Sequence, residues 1–153
     1  PPRMSEDQAA LVAHFEAMRA ALLGAIEGLS DRQLTERSLD GWSVKDHLAH
    51  LAFWDDIRAS EVARISAGFA SAWRMAVGED EAFGAIAYRA RKGLSLEQVR
   101  WELSRSHTTL LSAIRAATSA GLDPACYGEA ALKSTHEAQH TGWIHAWRAR
   151  QGF

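Results

Sequence analysis

The sequence is poor in proline, in cysteine and in charge of one sign. Only 3 prolines occur in 153 residues, and none interrupts the chain between Arg3 and Asp123. A β-rich chain of this size needs more turn punctuation, and no stretch alternates apolar with polar residues, so the absence excludes most all-β architectures. A lone cysteine, Cys126, excludes an intrachain disulfide framework and reads as a reducing, cytoplasmic setting. No basic segment followed by an apolar core opens the chain, so no secretion signal is expected. The best apolar run, Ala20 to Ile26, is far short of the ~20 residues that a bilayer requires, so no membrane partner is expected. With 17 basic and 19 acidic residues the net charge is −2, which leaves no electrostatic footprint for nucleic acid. No repeat or low-complexity tract is present.

What remains is an ordinary apolar content of 47%, enough for one folded domain over residues 4–153. Pro1-Pro2-Arg3, ahead of Met4, reads as an extraneous lead-in or a flexible N-terminus. Helical periodicity recurs four times. The first helix is expected from about Ser5 to Leu29: Ser5 and Gln8 form a capping-box pair, and Leu11, Phe15, Met18, Leu22, Ala25 and Leu29 make one apolar stripe. A second starts at the N-cap Ser43, with Asp46 three residues on, and runs to about Ser66. A third starts at Ser95 with Gln98 as box partner, carries Val99, Leu103 and Ile114, and ends at Gly121 and Asp123-Pro124. The fourth is expected from about Glu129 to Arg150, its basic last turn complementing the helix dipole. Between the second and third lies a long connection, Ala67 to Leu94, with room for one short helix near Glu79 to Ala90. A connection of that length can cross a bundle, so the pattern predicts an all-α, single four-helix bundle with a crossover between its second and third helices.

Seven histidines carry the chemistry. His136 and His140 are one turn apart on a face continued by Trp143 and Trp147, whereas His145 is half a rotation away and faces outward. Two imidazoles at i and i+4 can reach one divalent cation, and two buried unpaired rings would each cost about 1–3 kcal/mol. His136-Glu137-Ala138-Gln139-His140 also matches the H-E-x-x-H metalloprotease helix, in which Glu137 would be the general base. No Asp or Glu follows His140 to complete such a site, and no strand is expected to align a peptide. A third ligand must therefore come from another helix. His47 and His50 on the second helix qualify, and periodicity does not choose between them. His107 is a further option. His14 has no partner at metal spacing, and Cys126 reads as a bystander.

Gly41-Trp42-Ser43-Val44-Lys45-Asp46-His47-Leu48-Ala49-His50-Leu51 resembles the second-helix signature of the DinB/YfiT-like family. His136-Glu137-Ala138-Gln139-His140-Thr141-Gly142-Trp143-Ile144 resembles the same family's closing H-x-x-x-H-x-G-x-I pattern. The resemblance implies a bundle with a long crossover and a three-histidine metal site whose ligands fall on His50, His136 and His140. His47, an additional histidine beside His50, is the alternative. It also implies dimers, and relatives that include bacillithiol- or mycothiol-dependent transferases and maleylpyruvate isomerases.

A three-imidazole site keeps a coordination position open and suits one divalent ion, Zn or Ni foremost. The expectation is a metal-dependent enzyme acting on a small-molecule substrate, by transfer of a low-molecular-weight thiol or by hydrolysis. The alternative is a non-catalytic bundle that binds a metal or ligand. Glu137 is a candidate proton acceptor, rotated about 100° from His136. Asp55 and Glu61 are options for orienting the rings, Trp54, Trp143 and Trp147 for walling the site, and Phe69 and Trp73 for covering its mouth.

Overall fold

A computed structural model describes residues 3–153; Pro1 and Pro2, and with them most of the expected lead-in, lie outside the described residues. Four long helices make the bundle: α1 (Glu6–Ile26), α3 (Val44–Ser66), α5 (Leu96–Arg115) and α6 (His136–Gln151). Two shorter ones lie between them, α2 (Asp31–Thr35) and α4 (Glu79–Arg91), and two 3₁₀ turns follow α5. No strand occurs among the described residues.

The helices start where serine side chains can satisfy the first free amides. Ser5 with Gln8, and Ser43 with Asp46, form complete reciprocal capping boxes at α1 and α3. Ser30 with Gln33 does the same for α2, a short helix that periodicity does not reveal. Ser95 accepts from the Gln98 amide at the head of α5.

Contacts between helices fix the direction of each. Lys45 reaches the Leu94 carbonyl (2.7 Å), Asp55 meets Ser106 and Ser66 meets Thr118, so α3 and α5 run parallel. His14 meets Ser134, Arg19 meets Glu137 and Arg148 meets Glu27, so α1 and α6 are parallel too. Gln8 instead bonds the Ile114 carbonyl, and Arg19 the Leu103 carbonyl, which makes α1 antiparallel to α5. The direction is therefore up, down, down, up, and the α4-bearing connection is the crossover that permits two parallel neighbours.

One apolar cluster joins Leu22, Leu34, Val44, Leu48, Val99, Ile144 and Trp147; a second joins Phe15, Val62, Leu110, Ile114 and Leu132. Each fully buried Leu or Ile there contributes about 1.5–3 kcal/mol relative to exposure. Between the clusters sits a buried charge network. Arg19 donates to both Glu137 oxygens (3.2 and 2.9 Å), to Asp55 (2.6 Å) and to the Leu103 carbonyl (2.8 Å). Ser106 donates to the same Asp55 (3.2 Å), so all four long helices meet in one polar knot.

Two expectations are corrected. The last helix begins at His136, seven residues after the expected Glu129. The intervening segment is held by tertiary bonds: the Glu129 amide donates to the Trp73 carbonyl (3.0 Å) and Arg58 to the Ala131 carbonyl (2.9 Å). Gly128 permits that approach, because a Cβ there would lie 2.0 Å from the Trp73 oxygen. α5 ends at Arg115, ahead of Gly121, since the chain turns into 3₁₀ geometry stitched to α3 through Thr118 and Ser66. Separately, α1 is by length and composition long and apolar enough to cross a membrane, a test that the core helix of a bundle also passes, although it contains no long unbroken apolar run. Its alanines and leucines raise the average, while Leu11, Phe15, Arg19 and Leu22 form the face buried in the bundle.

Candidate metal centre

α3 and α6 run antiparallel, and histidine rings fill the space between them. His50 Nε2 lies 3.2 Å from His136 Nε2, which lies 3.0 Å from His140 Nε2. One ligand atom from each of the three falls within 4.8 Å of the other two. The i, i+4 register of α6 presents two of the rings, and α3 presents the third.

The donor set fits a metal ion. Three ring nitrogens that converge at this spacing cannot all be donors, nor all acceptors, without leaving lone pairs or protons opposed. A tetrahedral centre with metal–nitrogen bonds of about 2.0–2.1 Å holds its nitrogens about 3.3 Å apart, close to the two contacts seen here.

His47 enters from the other side. Its Nδ1 is 2.7 Å from Nδ1 of His140, and its Nε2 is buried with no partner. The two candidates on α3 therefore do different things: His50 turns a nitrogen into the cluster, and His47 meets the back of His140. A neutral His140 that offers its Nε2 lone pair to the cluster carries its proton on Nδ1, and His47 Nδ1 is placed to accept it.

Burial holds all four rings neutral. It pulls His50 down to about 3, helped by the neighbouring His136 and His47, and His140 down to about 2, helped by His136, His47 and His50. His47 falls to about 4 by burial, with the Asp46 and Asp40 charges acting in the opposite sense. His136 is lowered by burial and by Arg58. Neutral imidazole is the form that binds a metal.

A cavity of about 520 Å³ opens over the cluster, between Trp42, Trp143, Asp40 and Arg150. Trp42 is wedged against His47 (ring centroids 5.1 Å apart) and His50 (5.5 Å), and stacks on Tyr88 of the crossover helix. Trp143 packs against His140 at 4.7 Å. A second cavity, about 440 Å³, reaches His50 and His136 from beneath the crossover, past Trp54, Met75 and Gly84. The cluster is thus approached from two sides.

Several expected participants stand elsewhere. Glu137 points into the bundle, where Arg19 occupies both of its oxygens, so it does not take the general-base position of an H-E-x-x-H protease. Asp55 belongs to the same knot. Glu61, fully buried, is tied to Arg64, Ser71 and the Ala72 amide, where it anchors the start of the crossover. Trp147 is a core residue at 1% exposure and no wall of the cavity; Trp54 and Trp143 do border the site. Phe69 is 69% exposed and borders neither cavity, while Trp73 packs on Trp54 and Phe83. His107 is not among the three clustered rings; His14 is satisfied by the Ser134 carbonyl at 2.9 Å, and His145 is exposed. Sequence reasoning missed Trp42 as a wall and Arg19 as the centre of the knot. Arg19 left a signal, since it sits between Phe15 and Leu22 on the apolar stripe of α1.

An up-down-down-up bundle with three histidines converging beside an open cavity defines a class of protein equipped to hold a metal ion. The DinB superfamily model matches residues 14–144, and the chain belongs to that superfamily. No curated protein matches the sequence. Among solved structures, an uncharacterised protein from Escherichia coli UTI89 superposes with a TM-score of 0.78 over 95% of each chain. At 16% identity that likeness speaks for the fold alone.

Proposed function

We propose that this protein is a divalent-metal-dependent enzyme that acts on a small molecule, with His50, His136 and His140 as ligands. The observation that carries the reading is the convergence of three Nε2 atoms at metal-ligand spacing beside open space. Zn or Ni suits three imidazoles with a free position. Such an ion supplies Lewis acidity, which acidifies a water or a small thiol brought to it.

The chain's own residues do the rest. His47 fixes the His140 ring by accepting its Nδ1 proton, which keeps Nε2 available to the centre. Trp42 and Trp143 exclude bulk water from one side and give a flat reactant an apolar surface. Two cavities that meet at His50 and His136 leave room for two reactants, as transfer of a small thiol to an acceptor requires. No protein nucleophile is needed, and Cys126, in the 3₁₀ turn at Pro124–Cys126, lines neither cavity at the cluster. Glu137 acts at one remove, by tying the first turn of α6 to Arg19 and so holding His136 in place.

The test is turnover by protein reconstituted with Zn or Ni, using a panel of small thiols against an electrophilic aryl halide, and activated esters for hydrolysis. Metal-dependent turnover that His136→Ala abolishes supports the reading. Stoichiometric metal without turnover on any acceptor would leave a binding bundle.

A further inference from the structure

The cavity above the histidines is lined in part by two oppositely charged residues, Asp40 and Arg150, that pair with nothing else among the described residues. The last turn of α6 carries Arg148 and Arg150. Arg148 does the structural work there, donating to the Ala25 and Glu27 carbonyls at 2.8 and 2.7 Å. Arg150 instead lines the cavity, and among the described residues its guanidinium has no hydrogen-bond or ion-pair partner. On the facing element, Asp40 and Gly41 make the tight turn that precedes α3, closed by the pairing of Leu39 with Trp42. Asp40 holds φ 53 and Gly41 φ 91, the left-handed pair that such a turn demands. The turn places Asp40 in the lining of the cavity, and its carboxylate too has no hydrogen-bond or ion-pair partner among the described residues. The two charges line one cavity without pairing with each other, and the indoles of Trp42 and Trp143 lie in the same wall.

We propose that this cavity selects a zwitterionic small molecule of amino-acid or short-peptide type, its anionic end at Arg150, its cationic end at Asp40 and its body against Trp42 and Trp143. The inference rests on the histidine cluster being the reacting centre, because the two charges define only what is held over it. A molecule with one charge leaves the opposite residue unmatched, and a neutral one gains only from the indoles.

The probe is glycyl-phenylalanine in four forms: free, N-acetylated, C-amidated and capped at both ends. Each is titrated calorimetrically into the metal-loaded protein at low ionic strength, with metal content measured on the same samples. The free dipeptide is expected to bind tightest, ahead of either singly capped form by roughly fivefold, the scale of an exposed ion pair. The gap narrows as salt is added. Asp40→Asn keeps the turn, because Asn tolerates the left-handed region, and it is expected to erase the advantage over the N-acetylated form. Arg150→Gln is expected to erase the advantage over the amidated form. Neither changes binding of the doubly capped dipeptide. Equal binding of all four forms, no binding of any, or an unchanged ranking in both variants would overturn the proposal. Titrating the His136→Ala, His140→Ala variant separates this from the metal reading. A ranking kept without metal supports the charge selection alone, whereas a ranking lost from metal-loaded parent protein sinks the charge selection alone.

Discussion

Two polar clusters share helices α3 and α6, and they are built on opposite principles. In the first, Arg19 binds Asp55 and Glu137, Ser106 adds a bond to Asp55, and every buried side-chain polar atom of these residues has a partner. In the second, three imidazole nitrogens face one another, and behind them His47 Nε2 is left with none. Asp55 lies five residues after His50 and Glu137 immediately follows His136, so the same helices supply both clusters. A closed network is complete without a ligand and acts as structure. An open one persists because something else completes it, and here it opens on a cavity.

The sharpest way to break the contrast is to open the closed cluster. Arg19→Leu would strand two carboxylates in the bundle interior, and the loss of stability is expected to be about 3–5 kcal/mol, read from urea unfolding. A loss below 1 kcal/mol would mean that the knot is solvated. Acid should strike the other cluster. The histidines have folded-state pKa values below the unfolded 6.5, so below pH 6.5 the unfolded chain binds more protons than the folded one. Metal-free protein should keep its full stability above that pH. It should lose about 1.4 kcal/mol per pH unit for each such histidine as the pH falls toward their folded values of about 4, 3 and 2. Urea melts across that range check the slope, which should flatten when His50 and His140 are replaced by Gln.

A finer test concerns His47, the one member that joins the open cluster without turning into it. His47→Leu removes the acceptor behind His140 and is expected to weaken metal binding by roughly 10–100-fold in competition with a chromophoric chelator. His47→Asn, which keeps an acceptor at the Nδ1 position, should restore most of that affinity; no difference between the two would make His47 mere packing. The smallest effect is expected at Arg105 and Asp56, an ion pair that also links α3 to α5 but is about 40% exposed on each side. Arg105→Ala should cost less than about 1 kcal/mol in the same unfolding assay. That outcome would show that burial, rather than pairing as such, gives the closed cluster its weight.

The two clusters were unequally legible in the sequence. His136 and His140 stand out because a one-turn spacing is visible in any helical stretch, and the serine caps of α1, α3 and α5 mark where helices start. His47 and His50 could not be separated by periodicity, since both rings reach the same space and only their nitrogens differ in direction. The knot was hidden because its members come from four helices, and no local pattern says that Arg19 will meet Glu137 across the bundle. The late start of α6 has the same cause: Glu129 and Ala131 are held by Trp73 and Arg58, so tertiary bonds override the local helical signal. Trp147 shares a stripe with His140, yet lies two turns further on, beyond the cavity and inside the core.

The most direct test of the open cluster is metal content per chain, by plasma mass spectrometry, on untagged protein beside the His136→Ala, His140→Ala variant. About one bound divalent ion is expected in the parent, as a single three-histidine centre requires. None is expected in the variant, with helical content by circular dichroism unchanged. No ion in the parent, even after reconstitution with Zn or Ni, would contradict a metal centre at these histidines.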